Sequence, residues 1–173
     1  NEINENKALS QTSVTWSAVY KILNLYACLG GNRYKWDEVA KEKGIDLTTS
    51  EFSNHSGYQN KVSINITTPT GVKTISGTVF NEDVQRIVEI NGFPLDIEPK
   101  GKMIIMRNHD VPGVIGEVGK ILGNNNINIA DFRLSRGKDG ALAVILIDEK
   151  ACSDVLKKLD SLEAAIAVAY AEI

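Results

Sequence analysis

Three short polar side chains and two backbone amides have the types and spacing to hold a small charged molecule: Asn108, Asp110 and Asn128, with the N–H groups of Val114 and Ile115. They lie in one stretch, KMIIMRNHDVPGVIGEVGKILGNNNINIADF, from Lys102 to Phe132. An apolar run there stops at the polar turn Asn108–Val111, and a helical pattern follows. If that helix opens on Pro112 and Gly113, the amides of Val114 and Ile115 fall in its first turn. They then lack intrahelical acceptors, and the helix dipole favours a carboxylate beside them. Asn108 or Asp110 offers an oxygen to an ammonium group, and Asn128 brings both a donor and an acceptor. Such a set suits a small zwitterion. Plainer roles compete residue by residue: Asp110 as a helix cap ahead of Pro112, Asn128 as a turn residue after the asparagine run.

Other chemistry has little to stand on. His55 and His109 are isolated in polar turns, and Cys28 and Cys152 lie far apart with no CxxC pattern. Two such cysteines read as buried free thiols in a reducing, cytoplasmic setting. Gly113, Gly116 and Gly119 follow a strand, but GxxGxxG is not the dinucleotide fingerprint GxGxxG, and Pro112 sits where its tight glycine turn belongs. Gly116, Gly119 and Gly123 instead read as a smooth helix face for close packing. No catalytic residue, metal-ligand set or cofactor site is expected.

The elements that must position these groups can be read from periodicity. Val114, Ile115, Val118, Ile121 and Leu122 form one apolar stripe of a helix of about three turns, ended by Gly123 and Asn124–Asn126. Ile127 and Ile129 begin a strand whose apolar phase slips before Phe132 and Leu134, which predicts a bulge near Ala130. Gly137–Gly140 turns into Ala141–Ile147, apolar throughout and therefore a central strand covered on both sides. A helix over Ala151–Leu159 and a strand over Ala165–Glu172 complete the order β-α-β-β-α-β, the split βαβ of ferredoxin-like domains. Both helices then lie on one face, and the other face needs a cover, a partner or a second copy.

Upstream, Trp16, Val19, Tyr20, Leu23 and Tyr26 have helical spacing after Ser13, and Trp36–Lys43 forms a short helix closed by Gly44. From Ile45 the period becomes two, with Val62, Ile64 and Ile66 alternating with Ser63, Asn65 and Thr67. Thr68–Gly71 turns into Val72–Phe80, and Asn91-Gly92 between Val84–Ile90 and Phe93–Ile97 marks a type I′ hairpin. The first half is thus two helices on a small antiparallel sheet, with Pro99-Lys100-Gly101 as hinge or boundary. The fold class is α+β, with domains at 1–99 and 100–173.

At 173 residues, 43% hydrophobic and 24% charged, the chain is globular; net charge −3 without a basic cluster argues against nucleic acid. No apolar run approaches the ~20 residues of a membrane span. Residues 1–12 are polar and unpatterned, neither signal nor transit peptide, and read as the disordered cut end of something longer.

DVPGVIGEVGKIL followed by NINIADF resembles an ACT domain, the amino-acid-sensing module of biosynthetic enzymes. ISGTVF, RIVEINGF, PKG and the earlier AKEKGIDL resemble the allosteric substrate-binding (ASB) domain that precedes it in the D-3-phosphoglycerate dehydrogenase family. The likeness runs from about Trp36 to the end of the chain. It implies that L-serine, or another small amino acid, binds as feedback effector between paired ACT domains. Its ligand positions fall on Asn108, Asp110 and Asn128, with backbone at Val114 and Ile115. It also implies a homo-oligomer, NAD for the parent oxidoreductase and no cofactor in this portion. Asn108 stands where some members carry His or Tyr. The family's intervening domain can take an anionic effector, but Lys61, Lys73 and Arg86 are too scattered to be assigned that role. Two alternatives remain: the regulatory part of an L-serine dehydratase β chain, whose histidine-rich opening and cluster cysteines do not appear, and a dimerisation module that senses nothing.

Overall fold

The computed structural model describes residues 61–68, 71–80 and 84–173. The two helices expected before residue 45, with Cys28 and His55, lie outside them. Ten elements follow in order: β1 (Lys61–Thr68), β2 (Gly71–Phe80), β3 (Val84–Ile90), β4 (Phe93–Ile97), β5 (Lys102–Asn108), α1 (Val114–Asn124), β6 (Ile129–Gly137), β7 (Gly140–Ile147), α2 (Ser153–Asp160) and β8 (Ala165–Glu172). They make two four-stranded sheets, β1-β2-β3-β4 and β6-β7-β5-β8.

The first sheet is an antiparallel meander. Its β3–β4 turn has positive φ at both Asn91 (50°) and Gly92 (81°), as a type I′ turn demands. Asn91 also ties the turn to β2: its N–H donates to the Thr74 carbonyl at 2.8 Å, and its Oδ1 accepts from the Thr74 N–H at 2.9 Å.

In the second sheet the first and third strands of the βαββαβ order are neighbours, so β7 inserts between β5 and β6. Every residue of β7 after Gly140 is buried. Alternate residues serve different cores. Ala143, Ile145 and Ile147 join Ile104 and Met106 against Val114, Val118 and Leu122 of α1 and Val155 and Leu159 of α2. Leu142, Val144 and Leu146 join Met103 and Ile105 against Ile75, Ile87, Ile90, Phe93 and Ile97 of the first sheet. The cover that the apolar face needs is therefore the first sheet of the same chain. Pro99-Lys100-Gly101 joins two sheets that share this core, and the Ile173 N–H ties the joint to the C-terminus through the Gly101 carbonyl at 2.8 Å.

The bulge falls where the slipped phase predicts, between Ile129 and Asp131. Other local expectations need correction. α1 begins at Val114, because Gly113 is left-handed (φ 97°) and Pro112 lies in the preceding turn. Its other end does fall in the expected asparagine run, where Asn126 (φ 55°) takes the left-handed conformation and the Asn125 amide caps the Ile121 carbonyl at 2.6 Å. A Cβ on Gly116, Gly119 or Gly123 would meet nothing within 4 Å, so packing among the described residues does not require those glycines. Cys152 is exposed rather than buried, since it precedes α2 as its N-cap residue.

Phe93 is closely enclosed between the sheets: the Arg107 guanidinium lies 5.2 Å from its ring centre, and a Cβ on Gly137 would approach its Cε1 to 2.9 Å. Phe93→Ala should lower the unfolding free energy by about 3–5 kcal/mol, read from a urea titration. A second test concerns alkaline pH. The Tyr170 hydroxyl donates to the Glu172 carboxylate at 3.2 Å. Burial, then the charge of Glu172 and that hydrogen bond, push the phenol from 10.0 up to about 12. The folded chain holds this proton more tightly than the unfolded chain, so the contribution is complete below pH 10 and is lost as pH rises toward 12. Stability in that window should fall less steeply in Tyr170→Phe than in the parent chain.

Candidate functional site

The polar end of β5 opens into a cavity of about 410 Å3. Asn108, Asp110, Val114, Ile115 and Arg136 line it, with Phe132, Leu134 and Ala143 as its apolar wall. The turn that builds it is pinned from both sides: the His109 N–H donates to the Ala164 carbonyl at 2.8 Å, and the Val111 N–H donates to the His109 carbonyl at 3.0 Å. The left-handed Gly113 then redirects the chain into α1, whose first helical bond runs from the Glu117 N–H to the Gly113 carbonyl at 3.0 Å. The amides of Val114 and Ile115 lie ahead of that bond, with no acceptor inside the helix. No side chain caps this end.

Asn108 is 3% exposed. Its Nδ2 donates to the His109 carbonyl at 2.7 Å, which fixes the amide orientation, since the reverse would set oxygen against oxygen. Its Oδ1 is buried and accepts no hydrogen bond among the described residues. A buried orphan acceptor of this kind costs roughly 1–3 kcal/mol until a donor reaches it. Asp110 is no cap. Its Oδ1 lies 3.3 Å from Nε of Arg136, a residue that sequence reasoning did not single out. The register could have found it: Ala141 of β7 pairs with Asn108 on one side and Arg136 on the other, so the two face each other across one strand.

Asn128 is elsewhere. Its N–H donates to Glu149 Oε2 at 2.7 Å and its Nδ2 to Asp148 Oδ2 at 2.6 Å. The adjacent Ile129 is level with Ile147 and Lys102, at the far end of β5 from Asn108. Six residues of strand separate those levels, about 20 Å at ~3.3 Å per residue. A single chain therefore gathers Asn108, Asp110, Val114 and Ile115 but not Asn128, and the expectation that all stand around one turn is corrected. The bulge and hairpin carry β6 away from its beginning before it reaches the cavity.

The β6–β7 hairpin touches both the cavity and the first sheet. Arg136 faces Asp110, Gly137 lies against Phe93, and the Asp139 carbonyl accepts from Arg107 Nη2 at 3.1 Å. No group of three or more metal-ligating side chains occurs among the described residues. No helix among them is long and apolar enough to cross a membrane.

Comparison with known proteins gives this arrangement a family. Residues 32–91 match the D-3-phosphoglycerate dehydrogenase intervening domain, and residues 102–164 match the ACT domain. The chain belongs to the D-3-phosphoglycerate dehydrogenase family, as its regulatory region. It is 40% identical over 109 residues to the D-3-phosphoglycerate dehydrogenase of Bacillus subtilis, covering 63% of this chain and 21% of that one. The enzyme of the same name from Archaeoglobus fulgidus is 32% identical over 139 residues, 78% of this chain and 26% of the relative. That from Methanocaldococcus jannaschii is 29% identical over 123 residues, 70% and 23%. The chain thus spans about a quarter of the length of these relatives.

Gly140 offers a test of how tightly the cavity floor is built. Its φ is 114°, and a Cβ there would come within 2.5 Å of the Asn108 carbonyl oxygen. Gly140→Ala should therefore destabilise the chain by more than the roughly 1–2 kcal/mol of a left-handed backbone alone, measured by denaturant unfolding.

Proposed function

We propose that this region senses L-serine as feedback effector of the serine-synthesis enzyme to which it belongs, at a site completed by two copies of its ACT domain. One observation carries the reading: an open helix end, a carboxylate and a buried asparagine whose amide oxygen lacks a donor line one cavity. The α-carboxylate of the ligand sits toward the amides of Val114 and Ile115. Its ammonium takes Asp110 and the Asn108 oxygen, which supplies the donor that oxygen lacks. Asn128 comes from the second copy, since its own chain holds it about 20 Å away. Exposed apolar side chains beside the cavity, Val111 at 50% and Ile115 at 53%, support pairing at this edge.

The domains divide near residue 100, and occupancy shifts the packing of the two sheets about the Pro99–Gly101 joint. That bias reaches a catalytic part outside this chain, where NAD would serve the reaction in the cytoplasm. Coupling of this kind is typically about 1–3 kcal/mol.

A thermal-shift screen of the twenty amino acids tests the reading. L-serine at 100 times its Kd should add about 2.7 kcal/mol of stability. By calorimetry, Asp110→Ala and Asn128→Ala should each weaken L-serine binding by roughly 1–3 kcal/mol. A chain stabilised by no amino acid would instead be a dimerisation module.

A further inference from the structure

We propose that Arg136 is the carboxylate-binding side chain of this cavity, and that Arg136 and Asp110 together select ligands carrying both charges. The inference deepens the amino-acid reading and depends on it. Arg136 projects from β6 onto the same cavity as Asp110, Asn108 and the first turn of α1. Its side chain is 71% exposed and that of Asp110 is 39% exposed, with Nε and Oδ1 at 3.3 Å. An ion pair so open to water contributes little by itself, so a ligand can take either partner at small cost.

The two side chains present opposite charges a few ångströms apart, the mirror of the two ends of an α-amino acid. A guanidinium fork matches the geometry of a carboxylate and can bind both of its oxygens, which a lone helix terminus cannot enforce. An ammonium group then takes the place of Arg136 on Asp110. Asn108 lines the same cavity and keeps a buried Oδ1 to which no described residue supplies a donor, a separate feature from the ion pair. A monoanion would satisfy Arg136 but meet the carboxylate of Asp110 and bring no donor to Asn108. A neutral or cationic amine would leave Arg136 without its counterpart. Only a zwitterion answers all three groups, and its side chain lies against the apolar wall of Phe132, Leu134 and Val114.

Calorimetry on the full 173-residue chain can separate this role from a structural one. The probes are L-serine and L-serinamide, which differ only in the carboxylate. The parent chain should prefer L-serine. Arg136→Gln should lose about 10- to 100-fold in L-serine affinity while L-serinamide binding stays level, so that the preference collapses. Arg136→Lys, which keeps the charge without the fork, should fall between. An Arg136→Gln chain that keeps the parent's ratio of serine to serinamide affinity, whether both are unchanged or both fall together, overturns the assignment and leaves the serine reading standing. A parent chain that binds no amino acid overturns both.

Discussion

The structure depends on burying both faces of β5 and β7. Because side chains alternate along a strand, each of these two strands feeds two cores at once, one against α1 and α2 and one against the first sheet. A single-residue slip in register would exchange the two sets, so the register is strongly specified. It follows that polar groups can gather only at strand ends. The end at Asn108 does so: the chain must leave the sheet, turn at Gly113 and start a helix whose first amides have nowhere to go.

That constraint explains why one chain does not bring Asn128 to the other four groups. The groups at the Asn108 end are held rigidly by Ala164 and Gly140, while Asn128 is fixed at the opposite end by Asp148 and Glu149. The same rigidity gives the β6–β7 hairpin its position between the cavity and the first sheet. Arg136, Gly137 and Asp139 are consecutive or nearly so, yet they reach Asp110, Phe93 and Arg107 respectively. A perturbation at the ion pair is therefore mechanically close to the core shared by both sheets.

Much of this was legible in the sequence, and the reasons for the exceptions are physical. The period of two in the strands, the Asn91-Gly92 turn and the unbroken apolar run Ala141–Ile147 each report a local requirement, and each holds. The sequence pattern puts the helix start two residues early because Pro112 suits a turn as well as a first helical position, and only the φ of Gly113 decides between them. Cys152 was misjudged because a cap position exposes a residue type that is usually buried. The place of Asn128 and the part of Arg136 are hidden from the sequence for one reason. Proximity in sequence placed Asn128 beside the turn, whereas strand order places Arg136 there, and strand order requires knowing that β7 lies between β5 and β6.

The central claim is that one effector site draws on two copies of this chain. Mixing chains carrying Asp110→Ala with chains carrying Asn128→Ala, under conditions that let subunits exchange, tests it most directly. If Asn128 reaches across, each mixed pair contains one site with both residues intact, and L-serine binding of parental affinity reappears in the mixture at a fraction of the sites. If mixing restores nothing that the separate variants lack, the site is not shared in this way and the account is contradicted.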